Sequence, residues 1–413
     1  MPRIHPFRAL RPVPLAAARV ASPPYDVVTT AEARELCEGN PDCFLRVVRP
    51  EVALPDGADA HSLVAYERGR EALGELIERG AMARDTTPSV YVYRLISGSH
   101  VQTGLVCGSS VSDYRVGVVR KHEHTRPDKE QDRADHIESL GAQCGPVFLI
   151  CRGSTALSEW FDMVCASDPV QDFLAEDGIS HTVWVVSDTR RVAMVVREFS
   201  AMEATWIADG HHRSAAAAVV RDRHLARDPK HAEDASCAQF LTVIFPEDQV
   251  QVLPYNRLVA DLGERTPGDF LAGLTEHFVV QPLEGAAGPV EPRTFDCFVA
   301  GAWHRLTARP ESIPEGPVAG LDVALLQDRV LGPLLGVLDP RTDQRIRFAG
   351  GSRGTAYLER EVSAGRAAVA FALHPTPVSA LLEVAEAGLV MPPKSTWFEP
   401  KLRSGLFVHL LDD

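Results

Sequence analysis

The chain contains no run of about 18 apolar residues, so the sequence carries no signal for a membrane-spanning helix. Nor does it carry an excess of positive charge: 42 Lys and Arg stand against 56 Asp and Glu, for a formal net charge of −14. A broad nucleic-acid or anionic-membrane surface needs a basic face, so neither partner is expected. A small anion held in a local basic pocket remains compatible with this balance. The eight cysteines are scattered with no C-x-x-C pair, which removes the zinc-knuckle and redox-dithiol signals. Reduced thiols and a cytoplasmic location are expected. Neither G-x-x-x-x-G-K-[ST] nor G-x-G-x-x-G occurs, which excludes the common P-loop and dinucleotide fingerprints. No repeat of solenoid length is present. The opening "MPRIHPFRALRPVPLAAARV" has charges but no continuous apolar core, and reads as part of the fold.

What is present is ordinary globular composition, with 45% hydrophobic and 24% charged residues in 413. That length suggests two or three structural units. Strand-like and helix-like segments alternate, which predicts an α/β or α+β protein. "SVYVYRLI", "TGLVCGSSV", "VGVV", "PVFLIC", "HTVWVV" and "ATWIAD" read as strands, and "FLRVVRPE" as a surface strand. Residues 127–140 read as a mostly exposed helix, and "HHRSAAAAVVRDRHLA" as an alanine-rich helix suited to close packing. The polar stretch Arg227 to Ser236 reads as a surface loop and candidate boundary. The expected division is 1–235, a phosphate-binding core, and 236–413, an α/β subdomain contributing a lid or anion clamp.

The segment "TWIADGHHRS" places a strand, a glycine turn and a helix start in immediate succession. A helix start exposes unpaired N–H groups and a partial positive charge, which suits a phosphate. Asp209, Gly210, His211, His212 and Arg213 are therefore candidate phosphate or nucleotide ligands, Arg213 through its planar fork. Asp209 is also placed to cap the helix or to hold Mg²⁺. Adjacent histidines on a helix diverge by about 100°, a poor geometry for one zinc ion.

A second constellation, "KHEHTR", follows a short apolar strand with six polar residues. Glu123 is the candidate general base, since a carboxylate among cations can stay ionised beside a hydroxyl. Lys121, His124 and Arg126 are placed to neutralise phosphate charge. Within the helix that follows, Lys129, Asp132, Arg133 and His136 share one face. Lesser candidates for substrate binding are Tyr25 and Asp26 in the rigid turn "SPPYDVV", Asn256 and Arg257 in "PYNRLV", and Lys401 and Arg403 in "KSTWFEPKLRSGL".

Through "SPPYDVV", "KHEHTRPDKEQDR", "ADGHHR" and "KSTWFEPKLRSGL", in that order, the sequence resembles a bacterial family known as domain of unknown function 1015. The resemblance spans nearly the whole chain and implies no activity. "IADGHHR" also resembles the Asp-Gly-His-His-Arg turn of the ParB/sulfiredoxin-like superfamily, whose turn opens a helix and binds nucleotide phosphates. Some members of that superfamily are kinases for free serine that use a glutamate as base. This resemblance implies a ParB/sulfiredoxin-like nucleotide-binding core, here elaborated with a mixed-sheet subdomain. It implies phosphate binding by Asp209, Gly210, His211, His212 and Arg213. The Glu123 assignment rests on chemistry and not on a matched motif.

These parts fit phosphoryl transfer, which needs positioning and charge neutralisation more than covalent help. The expectation is a small-molecule kinase taking phosphate from ATP, ADP or pyrophosphate to the hydroxyl of free serine or a related compound. Lys121, Glu123 and His124 would form its catalytic group. A homodimer is compatible with the sequence. The rivals are a metal-dependent hydrolase, with His122, His124, His211 and His212 round a zinc, and a nucleotide-sensing protein without turnover.

Overall fold

The computed structural model describes residues 1–228 and 235–411, so residues 229–234 of the expected boundary loop lie outside the described residues. The chain forms two compact units, Met1–Val250 with Pro400–Asp413, and Gln251–Glu399. The first unit therefore runs past residue 235 and takes back the end of the chain. Its reason is strand pairing, described next.

Among the described residues the first unit holds a nine-stranded mixed sheet: β1 (Ile4–His5), β2 (Val90–Ser97), β3 (His100–Ser110), β4 (Val119–Arg120), β5 (Val147–Cys151), β6 (Gln171–Leu174), β7 (Ser180–Val186), β8 (Thr205–Asp209) and β9 (Gln239–Pro246). Their spatial order is β4-β8-β5-β9-β3-β2-β7-β6, with β1 added to β3. Strand β9 is fully buried and lies in the middle, parallel to β5 and antiparallel to β3. Cutting the chain at 235 would remove a central strand. Strand β4 is parallel to β8, so both deliver the residues that follow them to the same end of the sheet.

Helices α1 (Leu63–Glu78), α2 (Pro127–Leu140), α3 (Thr155–Cys165), α4 (Thr189–Ala201) and α5 (His211–Arg227) belong to this unit. Leu157, Trp160 and Phe161 of α3 and Val195 and Phe199 of α4 share a core with Val92, Leu105, Leu149 and Ile207 of the sheet. In α5, Ala215 to Ala218 are all buried, and Ala216 and Val220 cluster with Ala134 of α2. Side chains this small let two helices approach closely, so the alanine run fixes α2 against α5. Helix α2 is consequently less exposed than expected, with Ala134, His136 and Leu140 buried.

The segment expected as a surface strand is instead a buried helical turn, Leu45–Val48. Burial of Leu45, Val47 and Val48 overrides the β preference of two valines. The expected strand "VGVV" shrinks to β4, because Val111–Arg115 forms a helix capped by Ser110. All eight cysteines are free thiols, each buried except the half-buried Cys165.

The end of the chain is stitched into the first unit. Ser404 exchanges two backbone hydrogen bonds with Ser22, Val408 exchanges two with Leu10, and His409–Leu410 pairs with Ala142–Gln143. Phe407 packs against Tyr91 and Tyr93. Gly405 has φ +86°, and a Cβ there would stand 2.6 Å from the Phe44 ring, so only glycine fits.

The second unit holds a six-stranded antiparallel sheet in the order β11-β13-β12-β15-β10-β14. Its strands are β10 (Tyr255–Val259), β11 (Phe278–Leu283), β12 (Thr294–Val299), β13 (Ala302–Ala308), β14 (Ile346–Gly350) and β15 (Val369–Leu373). Helix Gly354–Ser363 contributes Leu358 to a core with Leu258, Phe298 and Trp303. A two-stranded ribbon, Gln251–Leu253 with Trp397–Glu399, brings the two ends of this unit together. Among the described residues, no helix is long and apolar enough to cross a membrane.

Candidate active site

The site is built where β4 and β8 end side by side. After β8 the chain turns at Gly210, whose φ of +101° lies in the left-handed region that glycine adopts without strain. Helix α5 then starts at His211 with no side chain capping it. Its first N–H groups have no partner within the helix, and the partial charge there is positive.

After β4 the chain runs into Lys121, His122 and Glu123. The backbone N–H of His122 donates to Nε2 of His211 at 3.5 Å, and the two rings meet edge to face at 4.5 Å. That bond leaves the His211 proton on Nδ1, which stands 3.8 Å from Glu123 Oε2. The two motifs, far apart in sequence, thus share one site. His211 is buried, and burial drives its pKa well below the usual histidine value, with His122 adding to the shift. Burial takes His122 down to about 4, opposed by the Ile207 carbonyl and Asp209. Both rings are therefore neutral at pH 7. Glu123 keeps 46% of its side chain exposed, so it can face an incoming ligand.

Asp209 closes the other side. Its Oδ2 accepts from Lys401 Nζ at 3.3 Å, and its Oδ1 lies 3.5 Å from Arg213 Nη2. Burial would raise its pKa, but Lys401 and Arg213 outweigh this and hold it below the usual carboxylate range. Arg213 also donates to the Pro146 carbonyl, at the entry to β5. Its charge is opposed by burial and sustained by Asp209, Asp26 and Tyr25. A Cβ at Gly210 would stand 3.1 Å from Arg213 Nε, so glycine also makes room for this guanidinium.

Both Asp209 oxygens face a cation, so Asp209 is not placed to ligate Mg²⁺ as expected. Among the described residues no group of three or more His, Cys, Asp or Glu side chains could hold a metal ion. His211 Nε2 is taken up by the His122 N–H, which removes it from the zinc cluster of the hydrolase reading.

The other expected residues divide. Tyr25 is half-buried beneath the Arg133 guanidinium at 4.6 Å, and burial, then Asp26, raises its pKa. Its turn is held by Arg49, which donates to the carbonyls of Tyr25 and Val28 at 2.7 and 2.6 Å. Asp26 beside it is exposed. Lys121 lies over the Tyr114 ring at 4.3 Å, and desolvation lowers its pKa. His212 is half-buried and its pKa is lowered by burial. His124 is exposed. Arg126 is exposed and bound to Asp128 at 2.8 Å, so it stabilises the start of α2.

Arg403 turns away from Asp209. It donates to His181 Nε2 at 3.2 Å and pairs with Asp177. Asn256 and Arg257 belong to the second unit and serve its own structure. Asn256 accepts from the Leu373 N–H at 3.1 Å, and buried Arg257 donates to the carbonyls of Tyr255 and Lys394.

Two contributors escaped the sequence reading. Arg133 looked like one member of a solvated charge face, yet its side chain is only 14% exposed, paired with Asp132 at 2.6 Å. Pro146 carried no signal, since a carbonyl partner depends on the fold and not on residue type.

The fold is that of an α/β protein, with an uncapped helix start where β4 and β8 end. Residues 4–324 match the family described as "Protein of unknown function (DUF1015)", and the chain belongs to that family. No curated protein sequence matches the chain. Among solved structures, it is similar to a free serine kinase in complex with AMP, at 13% identity and a TM-score of 0.36, over 74% of this chain and 91% of that one. It is similar to a conserved hypothetical protein from Pyrococcus furiosus, at 13% identity and 0.37, over 77% and 99%. A third similarity is to SbnI with a C-terminal truncation from Staphylococcus aureus, at 12% and 0.40, over 75% and 90%.

Proposed function

We propose that the protein is a small-molecule kinase, moving a phosphoryl group from ATP, ADP or pyrophosphate to the hydroxyl of free serine or a related small hydroxy compound. The single observation that supports this most is the meeting of Glu123 and His211 at 3.8 Å, where α5 begins. One strand end supplies a carboxylate, and the other supplies an uncapped helix start with Arg213.

In this reading the N–H groups of His211 and His212 and the Arg213 fork receive the donor phosphate. Lys121 adds charge from the β4 side. Glu123 accepts the proton of the acceptor hydroxyl as its oxygen attacks the terminal phosphorus, and the bridging P–O bond breaks to release ADP from ATP, AMP from ADP or phosphate from pyrophosphate. The neutral His211 donates from Nδ1 toward Glu123 and orients it. Asp209, held ionised by Lys401, fixes Arg213 in place and is not consumed. With both Asp209 oxygens facing cations, a magnesium ion would be held chiefly by the donor's own phosphates. A pure phosphate binder gains little from a carboxylate at this point, which favours turnover over sensing.

The test is a transfer screen read by mass spectrometry: ATP, ADP and pyrophosphate, each against amino acids, hydroxy acids and sugars. Phosphorylated acceptor is expected with at least one donor. Glu123→Gln should lower turnover by roughly 10²–10⁴-fold, the usual contribution of a general base, while donor affinity holds. Absence of any product across the screen, with donors bound, would favour the sensing alternative.

A further inference from the structure

Next to the site, and sharing Arg213 with it, lies a cavity of about 50 Å³. Its lining includes Arg213, Arg133 and Tyr25. It also includes the apolar Leu140, Val147 and Phe240, all buried. A single water needs roughly 10–15 Å³ by this kind of measure, so the space takes roughly three to five heavy atoms. A nucleobase is too large for it, and an apolar wall gives water poor hydrogen bonding.

The Arg133 charge is already oriented. Asp132 takes Nε and Nη2 of Arg133 at 2.8 and 2.6 Å, so Nη1 lies on the opposite edge of the guanidinium. Tyr25 supplies its ring below that guanidinium. Arg213 lines the cavity and also pairs with Asp209, so one guanidinium belongs to both the cavity and the start of α5.

Resting on the kinase reading, we infer that this cavity is the acceptor subsite, and that it selects a small aliphatic carboxylate. The branched or short carbon skeleton fills the apolar space, and the carboxylate meets Arg133. The acceptor of this protein is then a hydroxy acid more apolar than serine. Burial of two added carbons against Leu140 and Phe240 raises affinity by roughly tenfold over the bare acid.

The experiment uses the full chain and titrates acetate, isobutyrate and benzoate by ligand-observed NMR, with pyrophosphate titrated in parallel. Isobutyrate should bind roughly tenfold tighter than acetate, and benzoate should not bind. Cys144→Leu and, at a half-buried position, Ile137→Trp each fill the cavity and should abolish isobutyrate binding while pyrophosphate affinity is retained. Equal affinity for acetate and isobutyrate, or binding of benzoate, overturns the subsite. So does isobutyrate binding that survives a folded filling variant. If both variants fail to fold, the selectivity series on the unaltered protein still decides. Isobutyrate binding without any phosphate transfer would remove the kinase reading and leave the subsite standing. Phosphate transfer without isobutyrate selectivity would do the reverse.

Discussion

In the proposed reading Arg213 receives the donor phosphate, and its surroundings say how a change there should register. Arg213→Ala removes charge-assisted hydrogen bonds, so pyrophosphate and nucleotide affinity should fall by roughly 1.5–3 kcal/mol by calorimetry. Unchanged affinity for every phosphate ligand would remove the helix mouth from the site. His122 offers a different readout. Its folded pKa of about 4 lies below the ordinary histidine value of 6.5. Between those values the unfolded chain takes a proton that the folded chain refuses. Its stabilising contribution is thus complete above pH 6.5 and lost as the pH falls toward 4. The size is about 3 kcal/mol at 1.36 kcal/mol per unit. Melting curves of His122→Gln should fall less steeply than wild type across that interval. An identical pH dependence would mean that the buried ring is not the titrating group. The parallel pairing of β4 with β8 brings Glu123 to His211, and the two motifs were each readable from residue type and order. The partners of Arg403 were not, because Asp177 and His181 reach it only through the folded sheet.

At the level of elements, the turn between β8 and α5 does two things at once. Gly210 supplies a left-handed backbone and leaves space for Arg213. Gly210→Ala should cost about 1–2 kcal/mol for the left-handed conformation alone. Because the added Cβ also displaces the guanidinium, phosphate affinity should drop by more than this strain explains. Denaturant melts paired with pyrophosphate titrations measure both. A variant that loses stability but keeps full affinity would separate the turn from binding. Helices and central strands were largely readable from periodicity. The buried turn Leu45–Val48 was not, since two β-branched residues in a short apolar run suit a strand equally well until their burial is known. The exposed reading of α2 failed for a related reason: its buried side, Ala134 and Leu140, carries few apolar residues, because the facing α5 is lined with alanine.

For the whole molecule, the decisive feature is the return of the chain to the first unit. Leu406, Phe407 and Val408 are almost wholly buried there. At about 1.5–3 kcal/mol each, their loss rivals the total stability of a typical domain. Truncation after Glu399 should therefore unfold the first unit, as read by circular dichroism and loss of phosphate binding. The excised segment 251–399 should still melt cooperatively, since it holds its own sheet and core. If the truncated chain stays folded and binds pyrophosphate, the tail is not part of the first unit in solution. The sequence pointed to this tail through Lys401 and Gly405 but misplaced the boundary at 235. An apolar strand such as β9 reads the same whichever unit receives it.

The order in which a ribosome releases these residues gives the returning tail another meaning. Asp209, His211 and Arg213 emerge early, but Lys401 follows only after all of 251–399 has been made. Until then the Asp209 carboxylate lacks one of its two cations, and the sheet lacks the cover of Phe407. A nascent chain stalled anywhere before residue 400 therefore cannot close the Asp209–Lys401 pair. The second unit is made whole before the first can finish, so the inserted unit sets a delay in the assembly of its host.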